Sequence, residues 1–244
     1  MKYPSVPGGR TWALRGDSMT LRTPHLPAKA GAAAAAAGLV TAYLAFVRPR
    51  LLRAGATAGE ADGPYPGDGL IPDGTRSATM AVTIDAPRSR VWPWLVQMGT
   101  DRGGWYSWDR LDNFGRTSVR SLRPEWQDIA VGDHLAGTPD GSQWWEVAAL
   151  EPERFLGLRM SLDLRGRPFD PAGERPRYFT DSLWGFELKD AAGGCTRMVV
   201  SEYWSFRPTW FQPVLSILLL EPSHWVMQTR QFANLKRRAE SGSA

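Results

Sequence analysis

Two carboxylates are the residues of this 244-residue chain best placed for acid–base chemistry. Glu202 lies in Met198-Val-Val-Ser-Glu-Tyr-Trp-Ser-Phe206, where period-2 alternation puts Met198, Val200, Glu202, Trp204 and Phe206 on one strand face. A carboxylate among apolar neighbours is desolvated, so its pKa rises and it can act as acid, base or ligand anchor. Pairing with an arginine, or a bulge that turns it outward, would remove that role. Asp109 lies in Trp105-Tyr-Ser-Trp-Asp-Arg-Leu-Asp-Asn113, and on a helix it would share a face with Asn113. Trp105, Tyr106 and Trp108 offer apolar faces with hydrogen-bonding edges, as a small-molecule site requires. The alternative is that the indoles plug the core while Asp109 and Asp112 cap or pair with neighbours. An upstream strand sets Trp184, Phe186 and Leu188 on one side with Tyr178 in phase, and His224 and Gln228 could face the same space from the last helix.

Metal and nucleotide templates fail. His25, His134 and His224 are isolated, and the single cysteine, Cys195, supplements none of them. Gly103-Gly104 sits in neither a G-x-G-x-x-G nor a Walker pattern. No cofactor and no metal is expected. Cys195 follows Gly193-Gly194 in a hairpin turn, where an inert thiol is the default, and a lone cysteine leaves the compartment open. The net charge of +4 divides unevenly. Residues 1–53 hold eight basic residues against Asp17, while the remainder has 21 Lys and Arg against 24 acids. Nucleic-acid binding needs a basic face on a folded domain, and here the basicity sits in an arm, so no nucleic-acid partner is expected.

The elements that must position these residues follow from punctuation and periodicity. Residues 1–28 read as a disordered basic arm. Residues 29–53 form an Ala-rich apolar helix, charge-free from Ala30 to Val47, and a possible membrane anchor through residues 30–47. A docked soluble helix is the competing expectation, so the protein is membrane-associated through this helix or cytoplasmic. Residues 54–75, dense in Gly and Pro, read as an extended linker, and 76–240 as an α+β domain. Strands are expected near 76–84, 133–137, 144–150, 155–160, 178–188 and 196–206. Helices are expected at 88–97, where Pro93 falls early enough to be tolerated or else confines the regular part to the residues after it, and at 107–113. Thr209–Leu220 is apolar and helical, Pro222 breaks or kinks it, and Ser223 caps a last helix to Glu240. Trp225, Phe232, Leu235 and Ala239 fall near one face of that helix. Twelve tryptophans point to an aromatic interior or cavity wall.

Strand, two helices, a run of antiparallel strands and a long terminal helix is the order of the helix-grip fold. Ile84-Asp-Ala-Pro87, Val91-Trp-Pro-Trp-Leu-Val-Gln-Met-Gly99 and Arg102-Gly-Gly-Trp-Tyr-Ser107 resemble the SRPBCC (START/Bet v 1-like) superfamily, most of all an actinobacterial branch described as polyketide cyclase/dehydrase-like. Pro124-Glu-Trp-Gln127, Gly132-Asp133 and Leu235-Lys-Arg-Arg-Ala-Glu240 fit the same branch. The likeness covers roughly residues 55–240. It implies a curved antiparallel sheet around the terminal helix, with an apolar cavity between them. Function follows less directly, because one fold hosts carriers, receptors and enzymes. The leading expectation is non-covalent binding of an apolar or aromatic small molecule or lipid, with Trp105, Tyr106, Trp108, Trp184, Phe186, Glu202, Trp204, His224 and Gln228 as the lining. One alternative is a cofactor-free cyclase-like enzyme using Glu202 or Asp109. The other is a membrane-tethered lipid carrier.

Overall fold

A computed structural model describes residues 1, 28–210 and 212–241 of the chain. The expected arm, apart from Met1 and Ala28, and with it His25, lies outside the described residues. The chain divides into two compact units, Met1–Ala42 and Tyr43–Ala244. In the first, α1 (Ala28–Ala42) is exposed from Gly31 onward. A 22-residue helical stretch, Gly31–Leu52, is long and apolar enough to cross a membrane. At 1.5 Å per residue it rises about 33 Å.

The second unit opens with a π-helical turn, Tyr43–Val47, followed by α2 (Arg48–Leu52) and α3 (Ala58–Asp62). α3 starts at Thr57 because Thr57 and Glu60 form a reciprocal capping box. Then come β1 (Thr75–Ile84), α4 (Arg88–Val96), β2 (His134–Ala136), β3 (Trp144–Glu151), β4 (Phe155–Asp163), β5 (Phe179–Asp190) and β6 (Thr196–Arg207). α5 (Gln212–Leu215), a π-helical turn (Ser216–Leu220) and α6 (Glu221–Glu240) complete the chain. The six strands form one curved antiparallel sheet in the order β1-β6-β5-β4-β3-β2, and α6 packs on it: the fold is α+β, helix-grip.

Alternation assigns the two faces. Met80, Ile84, Val147, Leu156, Leu158, Phe186, Leu188, Met198 and Val200 point inward to meet Trp94 and Leu95 of α4 and Phe232, Leu235 and Ala239 of α6. Ala81, Phe155, Leu183, Val199 and Tyr203 point outward and are covered by Tyr65 and Ile71. The segment 54–75 is therefore not an extended linker. Gly185 lacks the Cβ that would stand 2.9 Å from the Tyr65 ring, so that ring lies flat on the sheet. Glu60–Arg197 and Asp68–Arg76 ion pairs fasten the same segment.

Three further expectations give way. Residues 107–113 form a single turn, not a helix: the amides of Leu111 and Asp112 reach the Trp108 carbonyl, but Asp109 uses its carbonyl on Gly115 and its carboxylate on Ser118. Left-handed Tyr106 and Phe114 close the loop at either end. α4, by contrast, begins at Arg88 and runs through Pro93, which is tolerated in place. At the C-terminus Pro222 neither ends nor splits the helix, because it falls in the first turn of α6, directly after the π-helical turn. Ser223 is no cap; its hydroxyl donates back to the carbonyls of Leu219 and Leu220.

Candidate functional site: an indole-walled hollow beside the grip helix

A hollow of about 200 Å³ opens between the inner sheet face and the start of α6. Its wall is Trp145 of β3, Trp184 of β5 and Trp204 of β6, in adjacent or near-adjacent strands. Leu220, Ser223, His224, Met227, Gln228 and Gln231 line it from the helix, and Ser107 and Asp112 from the loop before β2. Of the residues singled out from the sequence, Trp184, Glu202, Trp204, His224 and Gln228 meet here.

Glu202 does face inward, and it finds a histidine rather than an arginine. His224 Nδ1 stands 2.6 Å from Glu202 Oε1, with both side chains at least 86% buried. An ionised carboxylate only accepts, so Nδ1 carries the proton and the lone pair of a neutral ring falls on Nε2. That Nε2 is buried with no partner. The Trp204 indole adds a long contact to Glu202 Oε2 at 3.4 Å.

The wall is held by a chain of polar contacts. Trp184 Nε1 donates to Gln228 Oε1 at 3.0 Å, Gln228 Nε2 to Gln231 Oε1 at 2.8 Å, and Gln231 Nε2 to the Trp105 carbonyl at 2.9 Å. Asn234 Nδ2 donates to the Tyr106 carbonyl at 2.7 Å, so α6 grips the loop as well as the sheet. Each buried amide is satisfied, which orients the Trp184 ring at low cost. Trp105 and Phe186 lie behind this wall, buried, at 5.8 and 4.7 Å from Trp184 between ring centroids. They support the lining without forming part of it.

The remaining candidates go elsewhere. Tyr106 is fully buried on another side of the loop, accepting from Gln97 Nε2 at 2.7 Å and lying edge-on to Trp94. Tyr178 is exposed beneath the Arg177 guanidinium. Trp108 is exposed, with Arg230 over its ring at 4.8 Å, and Asp109 is held by the Ser118 amide and hydroxyl. Trp108 and Asp109 border a separate, open cleft of about 950 Å³ that also carries Arg110, Arg120, Arg230, Arg237 and Arg238.

Asp112 is the residue the sequence reasoning passed over. It lines the hollow, both carboxylate oxygens are buried without a hydrogen bond, and the Ser107 hydroxyl beside it is equally unpartnered. Burial pushes the Asp112 pKa up to about 6; the Ser107 hydroxyl pulls weakly the other way, from a geometry short of a hydrogen bond. Nothing local distinguishes Asp112 from Asp109, because which of them turns inward depends on the loop's positive-φ corners. Trp145 was within reach, since it shares the alternation of buried Val147.

Among the described residues, no three His, Cys, Asp or Glu side chains gather as a metal-ligand set. Cys195 donates to Asp85 at 3.4 Å, and that carboxylate raises the thiol's pKa, away from nucleophilic reactivity.

No family model and no curated protein matches this chain. Among solved structures, a protein from Arthrobacter aurescens is 17% identical over 68% of this chain and 87% of its own, with a TM-score of 0.37. CalU16 from Micromonospora echinospora is 16% identical over 70% and 89%, with a TM-score of 0.34. Ara h 8.0201 is 12% identical over 69% and 99%, with a TM-score of 0.40. At these identities and TM-scores the likenesses carry no functional argument.

Proposed function

We propose that this chain binds a small, largely apolar or aromatic molecule non-covalently in the indole-walled hollow, as a member of the SRPBCC superfamily whose sequence features it resembles. One observation carries this: unfilled apolar space coincides with buried polar atoms that have no partner inside the protein. Buried polar groups are otherwise satisfied, so groups left over at a hollow are natural contacts for a ligand. The volume sets the scale. It is somewhat larger than a ~150 Å³ cavity that takes up benzene, and smaller than the ~300–1,000 Å³ of drug-sized sites. A one- or two-ring compound fits, and a two-chain lipid does not. Burying about 200 Å² of such a ligand contributes roughly 5 kcal/mol, and association costs of about 4 kcal/mol or more take up most of it, so polar contacts must supply the remaining affinity.

A titration of tryptophan fluorescence with one- and two-ring compounds tests this. Saturable change in the native protein, weakened about ten-fold in Trp204→Ala, supports it. No saturable change with any compound, and no co-purifying molecule by native mass spectrometry, refutes it.

The His224–Glu202 pair favours a second reading, a cofactor-free enzyme. An imidazole oriented by a carboxylate, with a buried and unpartnered Nε2 beside a cavity, has the form of a general base. Asp112 would then be the accompanying acid. Asp109, directed away from the hollow, has no part in it.

A further inference from the structure

We infer that the ligand of this hollow is a protonated primary amine carried on an aromatic or apolar body, a conclusion that rests on the hollow being a binding site at all. The atoms left unpaired there are almost all acceptors: both Asp112 oxygens and His224 Nε2, with the Ser107 hydroxyl able to serve either way. A ligand that completes them must donate several hydrogen bonds from one small group. An ammonium has three N–H donors and no acceptor.

Charge points the same way. Asp112 and Glu202 are the acids of the lining, His224 is its single basic side chain, and no Lys or Arg lines it. A neutral His224 ring donates to Glu202 without cancelling its charge, so Glu202 and Asp112 together form a negative centre in a desolvated space. The indoles of Trp145, Trp184 and Trp204 surround that centre, and an indole face attracts a cation by about 0.5–2 kcal/mol. A carboxylate-bearing ligand would meet repulsion from Asp112 and Glu202. The five arginines of the neighbouring cleft lie on the lining of a different opening and do not offset this field at contact range.

The test compares three probes of one shape on the full chain: benzylamine, benzyl alcohol and benzoate, each titrated by tryptophan fluorescence and by calorimetry. Benzylamine is expected to bind about ten-fold more tightly than benzyl alcohol, with benzoate weakest. Asp112→Asn, which keeps the shape and removes the charge, is expected to abolish that preference. Equal binding of benzylamine and benzyl alcohol, or a preference for benzoate, overturns the amine assignment and leaves the hollow as a binding site. Failure of all three probes to bind overturns both. The comparison on the native chain decides the matter even if the substituted chain does not fold.

Discussion

Asp112 is an acid that the fold keeps at its own expense. Its pKa in the folded chain is about 6, against 3.8 for the free side chain, because burial disfavours the carboxylate. Between those values the folded state binds more protons than the unfolded one, so stability falls as pH rises through the window. Above about pH 6 the penalty is complete, on the order of 1–2 kcal/mol once partial solvent access is allowed for. Asp112→Asn is therefore expected to stabilise the protein by that amount at pH 7.5 and to change little at pH 4, as measured by urea unfolding at both. Equal effects at the two pH values would show that the carboxylate's charge is not what the fold pays to bury. Stabilisation together with lost amine binding is the pattern of a residue held for function rather than for folding.

At the scale of elements, the decisive contacts are those of α6. Its apolar stripe, Phe232, Leu235 and Ala239, fills the inner face of the sheet, while Gln228, Gln231 and Asn234 bind the Trp184 indole and the backbone of the loop that carries Asp112. Gln228→Ala leaves the Trp184 N–H and the Gln231 amide oxygen without partners, and unsatisfied buried groups cost about 1–3 kcal/mol each. A loss of about 2–4 kcal/mol in chemical denaturation is expected, with a change in the Trp184 emission environment; a loss below about 0.5 kcal/mol would mean water replaces the amide. Side-chain facing along the sheet was legible in sequence because alternation is a local property: Met198 and Val200 share one strand face, and both lie on the inner side of the sheet. The 107–113 segment was not legible, since its helical spacing competes with the Asp109–Ser118 contact made nine residues away. Nor was the passage of the last helix through Pro222, which follows a π-helical turn that no residue pattern announced.

At the scale of the whole molecule, the open question is where the domain resides. Gly31–Leu52 meets the length and composition of a membrane span. Within the Tyr43–Ala244 unit, Arg48 forms a paired contact with buried Glu221 at 2.6 Å, which fastens α2 to the start of α6, and Trp210, Val214, Leu218 and Leu219 are exposed just before it. If Gly31–Leu52 enters a bilayer, the protein is held there by apolar contact rather than by charge. The expected outcome is retention in the membrane fraction after a high-salt wash and release by detergent; release by salt alone would leave a soluble binder. Apolar compounds partition into bilayers, so a hollow that opens beside Leu220 and Ser223 would be well placed to receive them.

Element order and period-2 alternation were enough to indicate the α+β class and to set Glu202 on the strand face of Met198 and Val200, because each depends on neighbours along the chain. The partners were settled only in three dimensions. His224 meets Glu202, and Asp112 lines the same hollow, because the sheet curls around α6 and the loop that carries Asp112 closes over it while Asp109 is held by Ser118. Residues so distant in sequence converge by packing, and packing leaves no periodic trace in the chain.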